Sequence, residues 1–328
     1  DICDNIDSFG GKCIIFSGDF RQTLPILPNA NESEIIDLCL NHSTLWNGIT
    51  HMHLSQNMRL DHESRSRAEF LLAVGDGTVE THPEYGNEFI ELPDDVLSSN
   101  SLNSLIRNTF GEITNTTSFS DKVILTPKND SVRKINDIIS EQYPGPTTDY
   151  YSADFVDSTD GNCANWPIEF LNTITPSGAP PHHLRLKVGM PIIILRNISP
   201  SRGLCNGTRL KILQLLPSLI EGIILNGSCT GNSVFIPRIQ LNLNRARLPF
   251  TLCRRQFPVQ IAFAMTINKS QGQTLKHVGI YLPLPVFSHG QLYVALSRCP
   301  NFKNLNVFIE HKPIRSHTSN IVYKEVLI

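Results

Sequence analysis

The sequence predicts an α/β protein: two parallel-sheet units, the second interrupted by a small β-barrel. Three observations carry that expectation. Short β-prone apolar runs end in polar loops, as in KCIIFSGD (12–19) and VILTP (123–127), the pattern of buried parallel strands with ligand-grade loops at their carboxyl ends. Residues then recur at helical spacing, the apolar Val132, Ile135, Ile138 and Ile139 in one set and Gly290, Gln291, Val294, Ala295 and Arg298 in another. Between these sets, residues 184–241 switch to β character, in the runs LRLKV, MPIIILR, TRLKILQL, IEGIIL and SVFIPRIQL.

Taken in order, residues 12–16 read as a core strand leading to the Ser17-Gly18-Asp19 loop, and 50–54 as another short strand. Residues 63–73 read as a helix stopped at Gly75-Asp76-Gly77. The polar stretch 108–121 marks a boundary. A strand at Val123 follows, then a helix that Asn129 or Asp130 can cap. Residues 145–180 are rich in Pro, Gly, Asp and Thr, yet hold enough aromatics to be a linker wrapped on a core. In the β region Asn206-Gly207 and Asn226-Gly227 are turns, and a barrel is the natural closure for such short strands. Alternation of Val259, Ile261, Phe263 and Met265 with Ala262 and Ala264 predicts one strand buried on both faces, and Val307–Ile309 closes the chain's strands. The divisions are 1–118, 119–180, 181–250 and 251–328.

The 328 residues suffice for two or three domains, and the net charge of −2 hides a division. Residues 1–181 hold 27 acidic and 10 basic side chains, whereas 182–276 hold 13 basic and one acidic, Glu221. Single charges are more often solvation than function, but a run of this length with one acid fits a polyanion-binding surface. The eight cysteines are scattered without a C-x-x-C pair, which signals neither zinc nor disulfides and fits a reducing compartment. No run is apolar enough to span a bilayer and no leader pattern opens the sequence, so a soluble protein is expected. His182, His183 and His289 lack an acid or Cys at ligand spacing and read as surface or packing residues, with no metal site expected. Phe257, Phe263 and Tyr293 could stack bases, but their periodicity favours core packing.

The chemistry concentrates in residues 257–299. The strand there delivers Thr266, Asn268, Lys269, Ser270, Gln271 and Gly272 to its carboxyl end, where open α/β sheets bind ligands, and Gln291 and Arg298 lie two helical turns apart. This wording resembles two motifs of superfamily-one helicases of the Pif type (petite integration frequency). Further matches are SFGGKCIIFSGDFRQTLPI (8–26), LSQNMRL (54–60), VILTPKNDSVRKIN (123–136) and LRLKVGMPIIILRNISPSRGLCNGTRLKI (184–212). The helicase portion of rolling-circle (Helitron) transposons is similar too.

The resemblance implies a partial first RecA-like domain, a second RecA-like domain and an inserted Src-homology-three-like barrel. It also implies an ATP- and Mg²⁺-dependent helicase moving 5′ to 3′ on single-stranded DNA and acting at DNA duplex junctions. The expected setting is intracellular, nuclear or alternatively mitochondrial, in repair, recombination or genome maintenance including telomeres. Gln22, Arg59 and Arg298 become catalytic candidates: the carboxamide as a phosphate sensor and the guanidiniums as arginine fingers. Asp19, Gln271, Gly272 and Gln273 are expected at the nucleotide. Thr266, Asn268, Lys269, Ser270, Arg254 and Arg255 are expected at the strand. No G-x-x-x-x-G-K-[ST] occurs in these residues and no Asp-Glu pair follows a strand upstream of Gly18. A fragment or degenerate copy without hydrolysis of its own is therefore expected, with a DNA-binding remnant as the rival reading.

Overall fold

The computed structural model describes residues 8–27, 30–54, 65–114, 116–156, 166–176, 178–243, 248–310 and 316–327. At its centre is a four-stranded parallel sheet with strands in the order Ala264–Thr266, Lys122–Thr126, His277–Leu282 and Leu305–Ile309. Val123, Ile124, Leu125, Val278 and Ile280 have no exposed surface, as strands covered on both faces require. The helix Asn129–Gln142 covers one end of the sheet through Val132, Ile135 and Ile139. Lys128 stands at its N-cap without a side-chain bond, so neither Asn129 nor Asp130 is the cap. The helix Leu102–Phe110 lies across the sheet, close enough that a Cβ on Gly279 would meet Thr109 Oγ1 at 2.5 Å.

Helix Arg65–Asp76 and strand Phe89–Glu91 also pack with this sheet, since Leu71, Val74, Ile90 and Leu92 share one buried cluster with Val123, Leu125, Val278 and Ile280. Much of the region before residue 118 therefore belongs physically with the second α/β unit.

A five-stranded antiparallel sheet follows the order Val259–Ile261, Pro191–Ile194, Arg209–Leu215, Leu219–Ile224 and Ser233–Pro237. The expected turns hold, with Gly207 and Gly227 at φ of 91° and 88°, where only glycine is unstrained. SVFIPRIQL breaks after Pro237, which has no N–H to give a ladder. Its second half, Ile239–Leu243, pairs in another sheet with Leu252–Gln256, which in turn pairs with Ala153–Val156. Residues 145–180 thus hold more structure than a linker, including that strand, Thr148–Tyr151 and the helix Ile168–Thr173.

Three further expectations fail. The run 259–265 is two strands: Val259–Ile261 edges the antiparallel sheet and Ala264–Thr266 edges the parallel one, joined through buried Ala262 and Phe263. Asn136 holds this switch, its Nδ2 donating to Ile261 O at 3.0 Å and its Oδ1 accepting from Ala264 N–H at 2.8 Å. Residues 12–16 form no strand, and Ile14, Ile15 and Phe16 are exposed, Ile15 by 81%. Residues 51–54 are not a strand either, with Met52 and Leu54 exposed. A strand exists by its ladder, and no described strand lies beside either run to provide one.

Candidate functional site

The polar turn after residue 18 is docked on the second α/β unit by groups far away in sequence. Asp19 is its hub, accepting from Arg21 N–H at 3.1 Å, from Gln22 Nε2 at 3.3 Å and from the Tyr293 hydroxyl at 3.0 Å. Burial, and then the Asp19 carboxylate, push the Tyr293 phenol up to about 12. Arg21 reaches the end of the helix Arg65–Asp76, donating Nε to Asp76 at 2.6 Å. That hydrogen bond, the largest influence on it, raises the guanidinium pKa. Thr23 Oγ1 donates to Gln271 Oε1 at 3.0 Å.

Gly290 lets the turn approach. Its φ is 69°, and a Cβ there would lie 2.7 Å from the Gln22 carbonyl carbon. The neighbouring His289 is fully buried, accepting at Nδ1 from Tyr323 N–H at 2.8 Å and therefore donating Nε2–H to Phe20 O at 2.7 Å. Both bonds suit the neutral ring, and burial lowers its pKa. The expectation of a packing or surface histidine missed this bridge between three segments.

The helix Gln291–Ser297 ends at Arg298, itself buried. Arg298 donates to Val294 O at 2.9 Å, Gln273 O at 3.1 Å and Ser297 Oγ at 2.8 Å. At the helix start, Gln291 Nε2 donates to Asn268 Oδ1 at 3.1 Å, and its Oε1 accepts from Phe287 N–H. The loop 266–273 is thereby held from both ends of one helix. Its own backbone is a short 3₁₀ turn, Ile267–Ser270, followed by exposed Gln271 and Gly272, the latter at φ 79°. Asp19 and Gln22 thus meet this helix at Tyr293 and Thr23 meets the loop at Gln271, while Arg298 bonds to Gln273 at the far end of the same loop. Arg59 lies outside the described residues.

Known proteins match along this same chain. A model described as PIF1-like helicase matches residues 1–84, and one described as the 2B domain of DNA helicase Pif1 matches residues 169–215. The ATP-dependent DNA helicase PIF1 of Danio rerio is 28% identical over 301 residues, covering 92% of this chain and 41% of that protein. Its Homo sapiens namesake is 35% identical over 136 residues, covering 38% of this chain and 19% of that protein. Both matched models describe Pif1-type helicases. Pif1 helicase from Candida albicans shares the fold at a TM-score of 0.61 and 21% identity, over 98% of this chain and 69% of that one. Bacteroides Pif1 bound to ssDNA does so at 0.62 and 19%, over 94% and 65%. The chain spans less than half the length of these curated Pif1 relatives.

The Pif1-type residues expected at the nucleic acid separate into two groups. Arg254 has no exposed surface. It makes a two-pronged pair with Asp154 at 2.6 and 2.9 Å and donates to the carbonyls of Pro180, Leu171 and Ile174. Its donors are consumed inside the protein, so the expectation that it touches a strand is corrected. Ser270 is corrected likewise, because its buried hydroxyl donates to Ile267 O at 2.6 Å. Arg255, next along the strand, points to the opposite face and is exposed. Thr266, Asn268 and Lys269 are half-buried, and burial lowers the Lys269 pKa, with no charged neighbour contributing.

The basic excess of 182–276 shrinks on the same inspection. Arg209 is fully buried and donates to the carbonyls of Phe119, Ser120, Lys122 and Ala262, with burial lowering its pKa to about 10. Lys187 donates to Ser140 O and Tyr143 O, and Arg238 lies over the Phe257 ring at 4.8 Å. Of these, Arg209 ties the antiparallel sheet to the strand Lys122–Thr126, and Lys187 meets the end of the helix Asn129–Gln142. Among the described residues, no helix is long and apolar enough to cross a membrane.

Proposed function

We propose that this chain is the nucleotide-sensing and strand-gripping part of an ATP-dependent DNA helicase that moves 5′ to 3′ on single-stranded DNA and opens duplex junctions. The observation that carries the reading is the network joining the Asp19–Thr23 turn to Gln271 and, through Tyr293, to the Arg298 helix. A carboxamide and a carboxylate on one turn and a guanidinium on another segment suit a γ-phosphate whose arrival or loss shifts one segment against the other. Gln22 would sense the phosphate, and Arg298, on exchanging its bonds to Gln273 O and Ser297 Oγ for phosphate oxygens, would stabilise the charge of transfer. Asp19, Gln271, Gly272 and Gln273 would line the nucleotide, and Arg59 would be a second finger. Magnesium would come with the nucleotide, near Asp19. The loop 266–269 and Arg255 would hold the strand. Because that loop shares bonds with the nucleotide side, a change at one ligand would move the grip on the other.

The finer architecture belongs to the same proposal: a partial first RecA-like unit, and an antiparallel sheet of 191–237 that acts as a Src-homology-three-like barrel. Curated relatives named as ATP-dependent DNA helicases and a relative solved on ssDNA support it. So does a Bacteroides relative solved with ADP-AlF3 and ssDNA. The setting would be nuclear or mitochondrial genome maintenance, or a Helitron element. These residues contain no P-loop pattern, and hydrolysis by them alone is not expected.

The deciding experiment uses the chain joined to a P-loop-bearing segment from a Pif1 relative. Lys269→Ala should weaken binding of a single-stranded oligonucleotide and its stimulation of hydrolysis, leaving basal hydrolysis intact. Gln22→Ala and Arg298→Lys should do the reverse. Loss of DNA affinity with normal hydrolysis in Arg298→Lys would place that helix on the wrong ligand.

A further inference from the structure

We propose that His82, Glu91 and His317 form a zinc-binding site that fastens the strand His317–Ser319 to the body of the protein. One ligand atom from each residue lies within 4.8 Å of the other two. Their convergence is dictated by backbone pairing. His82 N–H donates to Phe89 O at 2.8 Å, Thr81 bridges Ile90, and Glu91 sits directly opposite His317 in the antiparallel pair Phe89–Glu91 with His317–Ser319. Residues 226 positions apart in sequence are thereby held side by side.

The donor chemistry suits a borderline ion. Two imidazoles and one carboxylate are a known zinc set, with a fourth position left to water, and bond lengths near 2.0–2.2 Å. An ion bound at that distance would draw the three atoms to roughly 3.4 Å apart. That contraction needs only side-chain movement, since Glu91 is exposed and His82 half-buried. One nitrogen of each ring already has a partner: His82 Nδ1 lies 3.4 Å from a Glu84 carboxylate oxygen, and His317 Nδ1 lies 2.9 Å from Ser316 Oγ. Partners of this kind fix the tautomer of a ligating histidine and leave Nε2 for the metal. The two rings stand edge to face with centroids 4.6 Å apart, and Tyr85 shields His317 at 5.1 Å.

The segment that the ion would fasten also braces the network described above. Beyond His317, Asn320 Nδ2 donates to Val74 O, Ile321 O accepts from Gly290 N–H, and Tyr323 N–H donates to His289. The role is therefore structural, holding the backbone behind the Asp19–Thr23 turn.

The test uses the intact chain, dialysed against chelator and titrated with ZnCl2, with bound metal measured by mass spectrometry and unfolding followed thermally. Cobalt(II) supplies a visible spectrum for the same site. The wild type should bind one more equivalent than Glu91→Gln or His82→Gln and gain thermal stability that neither variant gains. Zinc affinity at this site should fall more than about a hundredfold in those variants and about tenfold in Ser316→Ala, the scale of losses at a supporting group. Both ligand variants sit at exposed or half-exposed positions, so they retain the fold. Equal zinc uptake by the wild type and the His82→Gln/Glu91→Gln double variant would overturn the proposal. It would show a histidine–tyrosine packing cluster only, with any bound metal held elsewhere, for instance at thiols.

Discussion

The strand Leu252–Gln256 and the turn 19–23 hold comparable sets of polar groups and use them oppositely. Around Arg254 every guanidinium nitrogen donates inside the protein, to Asp154 and three carbonyls, with no exposed surface. Around Asp19 the groups are half-exposed, and Gln271 is open to solvent. The first arrangement fixes a fold; the second is stable yet retains faces that a ligand can engage. Sequence charge does not distinguish them, because Arg254 and Arg255 are adjacent and identical.

The sharpest way to break the comparison is at Arg254. Replacing it by Met strands the Asp154 carboxylate in a dry site and should cost about 3–5 kcal/mol, measured by denaturant unfolding. The double variant with Asp154→Leu should recover much of that loss, since a buried pair is often no better than an apolar one. If Arg254→Met unfolded at the wild-type denaturant concentration, the site would not be the closed structural one described.

Gly290→Ala comes next. The left-handed backbone costs a side chain roughly 1–2 kcal/mol, and the new methyl would press on the Gln22 carbonyl carbon from 2.7 Å. The turn should detach, seen as faster hydrogen exchange of Gln22 N–H, which now bonds to Asp19 O. Exchange unchanged from wild type would mean that the turn is not seated on Gly290.

What the sequence made legible follows periodicity. Val123 and the helix face Val132, Ile135 and Ile139 were readable because burial on this sheet repeats with the spacing of the elements. The break at Ala262–Phe263 was not, because two short strands serving different sheets leave the same alternating pattern as one long strand. Residues 12–16 carry strand propensity, but propensity is realised only beside a partner. At the candidate site, Asp19, Gln22 and Gln271 were singled out through motif wording. Tyr293, His289 and the Arg21–Asp76 pair were missed because their roles lie in contacts between distant segments. The small residue in His289-Gly290, immediately before a helix, was the available signal for a close backbone approach.

Tyr293→Phe tests the hub with a smaller effect. It removes one hydroxyl donor to a carboxylate and leaves the ring packed, so about 1–2 kcal/mol is expected. Stability equal to wild type would remove the Tyr293–Asp19 bond from the forces seating the turn.

The smallest effect is a pH dependence at His289. Its folded pKa lies below the ordinary 6.5, with burial as the main cause and the Phe20 bond and Asp19 opposing it. The unfolded chain therefore binds a proton more readily than the folded one. Stability from the neutral ring is complete above pH 6.5 and declines as the pH falls toward and through the folded pKa. Acid would place a proton on Nδ1, where Tyr323 N–H now donates, so the step should loosen the Tyr323 side of the bridge while the Nε2–H bond to Phe20 O persists. His182, also lowered by burial, titrates in the same direction, and the wild type alone would not separate the two. The difference in unfolding free energy between wild type and His289→Gln isolates one of them, since the amide can both accept and donate without titrating. That difference should favour the wild type more at pH 8 than at pH 5.5; a gap constant across this range would show that His289 does not couple protonation to folding.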